Sequence, residues 1–416
     1  MALSATMTIT IRPPRHQITP TRHRRVRRKI PPTTLLQLSA LERVHVLEHE
    51  PVANAVLENM SVRQLWLMRR VCRTFRDIAT HQLRGMMRPI VGGGVPCGLS
   101  SATMEMLDLA TMGWCHHLTL PTCRTDSAAC LVDNGELLVV GGDTTPEHDN
   151  AELRGWSVTP TVLKLDPRSL TWSENMPPMD YERTTFRLVK CPSGRIMAIG
   201  GCDDDEDQVT AVEALDEGAD SWITLAPMKR GRHSFAAGCL PSGQVVVAGG
   251  QDHYGKFMSA AEVYDPALNK WNPLPDVPSQ CRAASTGWIR EADGRFCVCG
   301  LGERGTTLRN CYALASDLSR WELVWEVDFP HRTHDTGGSS SGACFPVRGG
   351  CLRIGGTGVR ADGDDDEDDD DDEETSLACG DLYDEATGKV YRLPHDMLHR
   401  RRWIFGGLIP GPEPCS

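Results

Sequence analysis

Short apolar runs that end in glycine recur along most of the chain. In order, they read LLVVGG, RIMAIGG, VVVAGG, RFCVCG and CLRIGG. Their length and β-branched content predict β-strands, and the lack of polar alternation predicts that both faces of each strand are covered. Four of the runs follow a dipeptide that favours a tight turn, so each of them is predicted to form a hairpin with a preceding strand. The dipeptides are Asn134-Gly135, Ser193-Gly194, Ser242-Gly243 and Asp293-Gly294.

Each run is part of a longer pattern that repeats about every fifty residues. The glycine pairs are Gly92-Gly93, Gly141-Gly142, Gly200-Gly201, Gly249-Gly250 and Gly355-Gly356, with Gly300-Leu301-Gly302 as a degenerate copy. A segment of the type AEVYD follows the glycines, and then an aromatic residue: Trp114, Trp172, Trp222, Trp271, Trp321 and Tyr391. An arginine follows each aromatic residue by ten or eleven positions: Arg124, Arg183, Arg232, Arg282, Arg332 and Arg402. Each copy therefore predicts four strands.

Six copies in phase resemble kelch repeats, over about 320 residues. The resemblance implies a mainly β fold, a six-bladed kelch-type β-propeller at residues 88–412, in which each small sheet is wedged between two neighbours. The first copy lacks a preceding arginine unit, and the C-terminal RRRWIFGGLIP lacks later strands. We therefore expect the two ends of the chain to share one blade, with its last strand supplied by the C-terminus.

A small bundle of about two or three α-helices is predicted at residues 35–85. From Leu65 to Phe75 the apolar residues fall at helical spacing with arginines elsewhere around the helix, and Ser61 with Gln64 fits a capping box. The stretch SVRQLWLMRRVCRTFRDIA resembles the second half of an F-box. Two departures are Phe75, where the family usually has tryptophan, and Glu48-His49, where it usually has Leu-Pro.

The F-box resemblance implies docking on the linker subunit of a cullin–RING ubiquitin ligase. The residues implied in linker binding are Val52, Val56, Leu57, Met60, Val62, Leu65, Trp66, Met68, Val71, Cys72 and Phe75. The alternative is that these apolar residues form only the core of a small helical cap.

Two segments have extreme charge. Residues 1–34 hold eight arginine and lysine residues and several prolines, which predicts a disordered basic tail. This tail has three possible roles: a solvated segment without a specific function, a nuclear-import signal or a transit peptide. Residues 362–374 hold twelve carboxylates and account for the net charge of −12. We interpret these residues as an acidic loop insertion, which is either simply solvated or binds basic segments of a partner. The negative charge of the loop disfavours binding of nucleic acid.

The sequence contains no convincing enzyme constellation, and we predict a non-catalytic protein without a cofactor or metal. A galactose-oxidase-like copper enzyme is an alternative with His233, His253, His331 and His334 as candidate ligands. We interpret the 16 cysteines as reduced packing residues in a cytoplasmic or nuclear protein. No apolar stretch is long enough to predict a membrane span.

The chain is thus interpreted as a substrate-recognition adaptor of an SCF-type E3 ubiquitin ligase. Its F-box would bind the linker subunit, and through it a cullin, while the propeller would bind an unknown substrate protein. Arg124, Arg183, Arg232, Arg282, Arg332 and Arg402 are candidates for the substrate face, or else structural residues that bind carbonyl groups or pack between blades. The alternative function is a propeller scaffold for cytoskeletal or signalling partners.

Overall fold

The computed structural model describes residues 54, 57–71, 73–95, 102–144, 157–205, 207–278, 287–290, 293–299, 308–328, 342–355, 357–358, 375–376, 380–385, 387–398 and 402–409. The predictions for the basic tail, for the acidic loop and for Val52, Val56, Cys72, Arg282 and Arg332 lie outside these residues. Contacts along the chain define two compact units, residues 1–60 with 64–82 and residues 61–63 with 83–416.

The helical segment forms two helices at its C-terminal end, α1 (Val62–Met68) and α2 (Arg73–Gly85). The spacing from Leu65 to Phe75 predicted one continuous helix. The structure differs because the last turn of α1 tightens: the N–H groups of Arg70 and Val71 donate to the carbonyls three residues earlier, at 3.0 Å each. The Nε of Arg76 in α2 then donates to the carbonyl of Arg69 at 3.3 Å.

Leu65 of α1 and Phe75, Ile78 and Ala79 of α2 are buried. They lie at helical spacing within each helix, as the apolar pattern predicts. None of the helices in the described ranges has the length and apolar content needed to cross a membrane.

All other described elements are β-strands, in agreement with the predicted fold class. In chain order they are β1 (Arg88–Val95), β2 (Thr103–Asp108), β3 (Gly113–Thr119), β4 (Ala128–Leu131), β5 (Leu137–Val140), β6 (Val162–Asp166), β7 (Thr171–Ser173), β8 (Arg187–Lys190), β9 (Ile196–Ile199), β10 (Val212–Leu215), β11 (Ile223–Leu225), β12 (Ala236–Cys239), β13 (Val245–Ala248), β14 (Ala261–Asp265), β15 (Lys270–Leu274), β16 (Gly287–Ile289), β17 (Phe296–Cys299), β18 (Leu308–Leu314), β19 (Trp321–Asp328), β20 (Gly342–Val347), β21 (Gly350–Gly355), β22 (Thr357–Gly358), β23 (Thr375–Ser376), β24 (Gly380–Asp384), β25 (Lys389–Arg392) and β26 (Arg402–Ile409).

The strands form six four-stranded antiparallel sheets, which are the six predicted blades. Blade 1 is β26-β1-β2-β3, blade 2 is β4-β5-β6-β7, blade 3 is β8-β9-β10-β11, blade 4 is β12-β13-β14-β15, blade 5 is β16-β17-β18-β19 and blade 6 is β20-β21-β24-β25. The short strands β22 and β23 pair with each other between β21 and β24. The run VVVA forms β13, the second strand of blade 4.

The ring closes as the two ends of the repeat predict. Strand β26 pairs antiparallel with β1 from Arg88↔Ile409 to Val95↔Arg402. Each blade's first strand contacts the first strands of its two neighbours, in the order β26, β4, β8, β12, β16, β20 and back to β26. The C-terminal strand therefore occupies the innermost position of blade 1 and joins blades 6 and 2.

The hairpin turns and the core also follow the sequence pattern. At the Asn134-Gly135 turn, the N–H of Gly135 donates to the carbonyl of Val132 at 3.0 Å, and Gly135 has a φ of 86°. The second strands are buried on both faces, as in β5, β9 and β13. Their side chains fill hydrophobic clusters that each join two successive blades.

The tryptophans of the fourth strands also link successive blades. The indole Nε1 of Trp222 donates to the carbonyl of Pro177 at 2.9 Å, and that of Trp271 donates to the carbonyl of Ala226 at 2.9 Å. Trp321 makes the same bond one blade later, at 2.9 Å to Pro275. Trp222, Trp271 and Trp321 thus share one structural position in three successive blades.

A chain that ends at Arg400 tests ring closure, since it lacks β26. We expect it to lose the sharp cooperative unfolding transition and to unfold on the order of 10 °C lower or more, because β1, β4 and β20 lose their neighbour. Circular dichroism during thermal unfolding measures this. A chain that ends at Gly411 keeps β26 and is the control. Equal melting temperatures for the two chains would refute closure by the C-terminal strand.

Candidate functional site

Three of the repeat arginines, Arg124, Arg183 and Arg232, lie four residues before the inner strand of blades 2, 3 and 4. In blade 4, Arg232 is fully buried, and its Nη1 donates to the carbonyls of Gly249 at 3.0 Å and Ala260 at 2.7 Å. Its Nη2 pairs with the carboxylate of Glu262 at 2.7 Å. One arginine thereby holds the ends of the second and third strands together.

Two other blades repeat this arrangement. Arg183 donates to the carbonyls of Gly200 at 3.1 Å and Ala211 at 3.0 Å, and it pairs with buried Glu213. In blade 2, Arg124 donates to the carbonyls of Gly141 at 2.9 Å and Thr161 at 3.0 Å. Burial lowers the pKa of all three guanidinium groups, to about 10 for Arg124.

The assignment of Arg124, Arg183 and Arg232 to a substrate face is therefore wrong. Their Nη groups bind partners inside the blade, which offsets the cost of burying a guanidinium. Of the remaining candidates, Arg402 pairs through its backbone with Val95 in blade 1.

The backbone carbonyls of Arg183 and Arg232 tie their blades to the preceding ones. The N–H of Gly201 in blade 3 donates to the carbonyl of Arg232 at 3.0 Å, and the N–H of Gly142 in blade 2 donates to the carbonyl of Arg183 at 2.9 Å. Gly200 has a φ of 61°, and a Cβ there would lie 2.7 Å from the carbonyl oxygen of Arg232. The first glycine of the pair is thus required by this close approach.

The inner rim, which we define as Asp126, Thr185 and Ser234, lies two residues after these arginines. All three have left-handed backbone conformations, with φ of 52°, 51° and 51°. The N–H of Thr185 donates to the carbonyl of Asp126 at 3.1 Å, and the N–H of Ser234 donates to the carbonyl of Thr185 at 3.0 Å. Strained backbone of this kind, held by its neighbours, is common at binding sites.

Asp126 of the inner rim and the nearby Arg187 are both half-buried, and their opposite charges interact. Burial raises the pKa of Asp126 to about 7, which Arg187 opposes and Asp143 reinforces. Burial lowers the pKa of Arg187 to about 10, which Asp126 opposes. The Nε of Arg187 donates to the carbonyl of Phe235 at 2.7 Å, so the side chain reaches from blade 3 to blade 4.

His233 is the third titratable group at this place. Burial lowers the pKa of its imidazole, the charge of Arg187 lowers it further, and Asp252 opposes both. Its Nδ1 lies 3.2 Å from the hydroxyl of Ser234 on the inner rim. At neutral pH the ring is therefore uncharged and able to exchange hydrogen bonds with a bound group.

The loops that follow the glycine pairs surround the inner rim, because the antiparallel sheets bring them to the same end of the blades. In blade 3, Glu182 lies close to Asp203, Asp204 and Asp205, and its pKa is raised by burial and then by Asp204. In blade 4, the ring of Tyr254 is 88% exposed. Charged side chains of both signs are exposed here, including Asp205, Asp207, Lys229, Arg230 and Lys256.

A surface of this kind suits the binding of a protein segment. It offers mixed charge, an exposed aromatic ring and half-buried polar groups. Arg124, Arg183 and Arg232 are not among the exposed cations of this surface.

The predicted linker-binding residues divide by exposure. Leu57, Val62, Leu65 and Phe75 are buried, and Met60, Trp66 and Met68 are half-buried. Val71 is 55% exposed, because it follows the tightened end of α1. Among the described members of the set, Val71 has the largest exposed fraction.

His233 and His253, the candidate copper ligands within the described ranges, belong to no cluster that could form a metal site. His253 lies 3.6 Å from Asp207, and both are exposed. Within these ranges, His, Cys, Asp and Glu side chains form no group of three or more that could hold a metal ion. His331 and His334 lie outside the described residues.

Sequence reasoning missed two sets of residues. The buried glutamates Glu105, Glu213 and Glu262 recur in third strands, and for Glu213 and Glu262 the constant spacing from Arg183 and Arg232 carried the signal. Asp126 and Arg187 are departures from the repeat: the two positions read Asp-x-Ala in blade 2, Thr-x-Arg in blade 3 and Ser-x-Ala in blade 4. Such differences between copies single out residues that the shared blade structure does not require.

Comparison with known proteins agrees with this architecture. A kelch motif matches residues 232–278, from the arginine of blade 4 to the end of its fourth strand, and no F-box domain is detected. Many solved chains match in structure, 660 in all. One, titled "Structure of YjhT", has a TM-score of 0.50 and 15% identity, and the match covers 74% of this chain and 97% of that one. No curated protein matches the chain. The kelch β-propeller is a fold suited to protein–protein interaction.

Replacing Arg232 with alanine tests the structural role of the repeat arginines. We expect a loss of about 3–5 kcal/mol in the free energy of unfolding, because Glu262 and two carbonyl groups lose their buried partner. Urea unfolding measures the loss. Arg230→Ala, at an exposed position two residues away, should change stability by less than about 0.5 kcal/mol. Equal effects of the two substitutions would contradict the buried network.

Asp126→Asn tests the half-buried carboxyl group. The raised pKa means that the folded chain holds a proton which the unfolded chain releases near pH 4, so wild-type stability falls as the pH rises from about 4 to about 7. Asparagine has no such proton and tolerates the left-handed backbone. We expect the melting temperature of the variant, relative to wild type, to rise between pH 4.5 and pH 8.

Asp216→Asn is the matched control for this pH dependence. Its hydrogen bond with Arg195 lowers the pKa of Asp216, so the ionised form stabilises the fold above pH 4. Between pH 4.5 and pH 8 this carboxyl group is ionised in the folded and in the unfolded chain, so the control should be less stable than wild type by an amount that stays constant over the interval. A relative melting temperature of Asp126→Asn that stays flat or falls would contradict the raised pKa.

Proposed function

We propose that this chain is the substrate-recognition adaptor of an SCF-type cullin–RING E3 ubiquitin ligase. The observation that carries the proposal is the order of elements: the segment that resembles an F-box supplies α1 and α2, and β1 of the kelch-type propeller begins three residues after α2 ends. In this function the helices bind the linker subunit, and the propeller binds the protein to be modified. The chain itself forms and breaks no bonds.

The helical segment offers a plausible contact for the linker. Val71 is exposed at the end of α1, and the half-buried Trp66 and Met68 lie on the same helix. Exposed apolar groups among arginines fit a partner surface that combines apolar pockets with carboxylates. Leu65 and Phe75 are buried, and their role is to keep the helices folded.

The propeller end that carries the inner rim is the proposed substrate surface. Tyr254 is the exposed aromatic ring there, and aromatic side chains commonly dominate the energy of interfaces. The charged loops around it would steer the approach of a partner and select its charge pattern.

Purification of the tagged chain with the ligase linker subunit tests this function. We expect wild-type protein to retain the linker subunit, and Val71→Asp to weaken binding at least about tenfold, because a carboxylate replaces an exposed apolar contact. Leu268→Asp, at an aliphatic residue of the propeller that is 68% exposed, is the matched control and should bind like wild type.

Two outcomes separate this function from its alternative. Absence of the linker subunit from wild-type preparations would refute the adaptor function and leave a propeller that binds partners without a ligase. Equal losses in Val71→Asp and Leu268→Asp would show that the effect does not arise from the helical segment. Circular dichroism of each variant confirms that both units stay folded.

A further inference from the structure

Blades 3 and 4 carry opposite charges at equivalent positions of the surface around the inner rim. Counted from the repeat arginine of each blade, Asp180 in blade 3 corresponds to Lys229 in blade 4. In the loops after the glycine pairs, Asp207 likewise corresponds to Lys256. All four side chains are exposed. The two blades share the same order of strands, so the blade structure requires neither sign of charge at these positions, and the reversal is a property of the surface.

Further residues increase the difference between the two blades. We call the carboxylates of blade 3 the acidic half of the surface: Asp180, Glu182, Asp204, Asp205 and Asp207. The cations of blade 4 are the basic half: Lys229, Arg230 and Lys256. Burial raises the pKa of Glu182, and the nearby charge of Asp204 raises it further, as expected for carboxylates that repel one another.

The loops after the glycine pairs hold their charged side chains on the same backbone turn in both blades. The carboxylate of Asp203 accepts the N–H of Asp207 at 2.8 Å in blade 3. In blade 4, the carboxylate of Asp252 accepts the N–H of Lys256 at 2.9 Å. The two loops therefore differ mainly in the side chains that they expose, and these side chains start from fixed positions.

The same two loops lie side by side. The side-chain amide of Gln208 in blade 3 donates to the carbonyl of Gln251 in blade 4 at 2.8 Å. The Nδ1 of His253 lies 3.6 Å from the carboxylate of Asp207. Tyr254 comes directly after this contact, and its ring is 88% exposed. An accessible aromatic ring thus stands at the boundary between the acidic and the basic half.

The charges of the two halves do not neutralise each other across this boundary. Within the described ranges, no carboxylate of the acidic half forms an ion pair with a cation of the basic half, and the imidazole of His253 is the group that approaches Asp207. Exposed charges that are not paired within the protein attract a partner with the opposite pattern and exclude partners with the same pattern.

We propose that blades 3 and 4 together bind an extended protein segment that carries a block of basic residues and a block of acidic residues. The basic block lies on the acidic half, and the acidic block lies on the basic half. Packed sheets are about 10 Å apart and an extended chain rises about 3.3 Å per residue, so the centres of the two blocks are at least about three residues apart. The ring of Tyr254 packs on the apolar stem of a lysine or arginine of the segment.

This inference rests on the proposed function in one respect: it takes this end of the propeller as the substrate surface and names the class of substrate. It does not involve the helical segment. Failure to bind the linker subunit would therefore leave the inference standing, and failure to bind such a segment would leave binding of the linker subunit unaffected.

Selection from a library of short random peptides displayed on phage tests the proposal with the full-length chain as the bait. We expect the enriched peptides to contain a basic block and an acidic block at the stated separation. A synthetic copy of an enriched peptide should bind at least about tenfold more tightly than a peptide of the same composition with alternating charges, as measured by fluorescence polarisation.

Matched charge reversals locate the binding surface. In the acidic half, Asp204→Lys with Asp205→Lys should weaken binding of the enriched peptide at least about tenfold. The control is Glu217→Lys with Asp220→Lys, which makes the same change of charge at exposed positions at the opposite end of blade 3 and should bind like wild type.

A second pair of variants tests the basic half. Lys256→Glu should weaken binding of the same peptide, whereas Lys270→Glu, at an exposed position at the opposite end of blade 4, should leave it unchanged. Two results would overturn the proposal. One is a selection that yields no peptides with the two blocks, and the other is equal binding by the variants of the acidic half and by their control.

Discussion

The propeller depends on a buried arginine that stands just before the inner strand in blades 2, 3 and 4. Its guanidinium binds the carbonyls of its own second and third strands, and its carbonyl receives an N–H from the preceding blade, as in Arg232 with Gly249, Ala260 and Gly201. Burying such a charge is costly unless it is paired, and here the Nη groups bind carbonyls at two strand ends and, in blades 3 and 4, a buried glutamate. This is why the arginine, the two strand ends and the diglycine recur together.

The ring separates positions that build it from positions that give it a surface. Arginines, glycines and tryptophans repeat because each makes the same contact in successive blades. Asp126, Arg187 and the acidic residues after Gly201 differ between copies, and they lie at the end of the blades where the loops gather. Binding properties of a repeat fold arise from such differences, since identical copies would present identical surfaces.

The helical segment is arranged differently from a single amphipathic helix. The tightened end of α1 divides it, leaving Val71 exposed while Leu65 and Phe75 are buried. In the second unit, the residues at the start of α1 contact blade 6: the hydroxyl of Ser61 donates to Asp384 at 3.1 Å, and Arg63 lies 3.4 Å over the ring of Tyr391. Helical periodicity alone does not reveal such contacts, because they involve residues more than 300 positions away.

The sequence by itself determined the architecture. Repeat period, apolar runs, turn dipeptides and the incomplete ends were enough to predict six four-stranded blades and closure by the C-terminal strand, because each is a local requirement of strand and turn geometry. Only the tertiary structure decided the roles of the charged residues. Arg183 and Arg187 are four positions apart, yet one holds strand ends inside its blade and the other reaches toward the next blade. Their surroundings are built by residues distant in sequence, and burial and partners, rather than residue type, decide what a charge does.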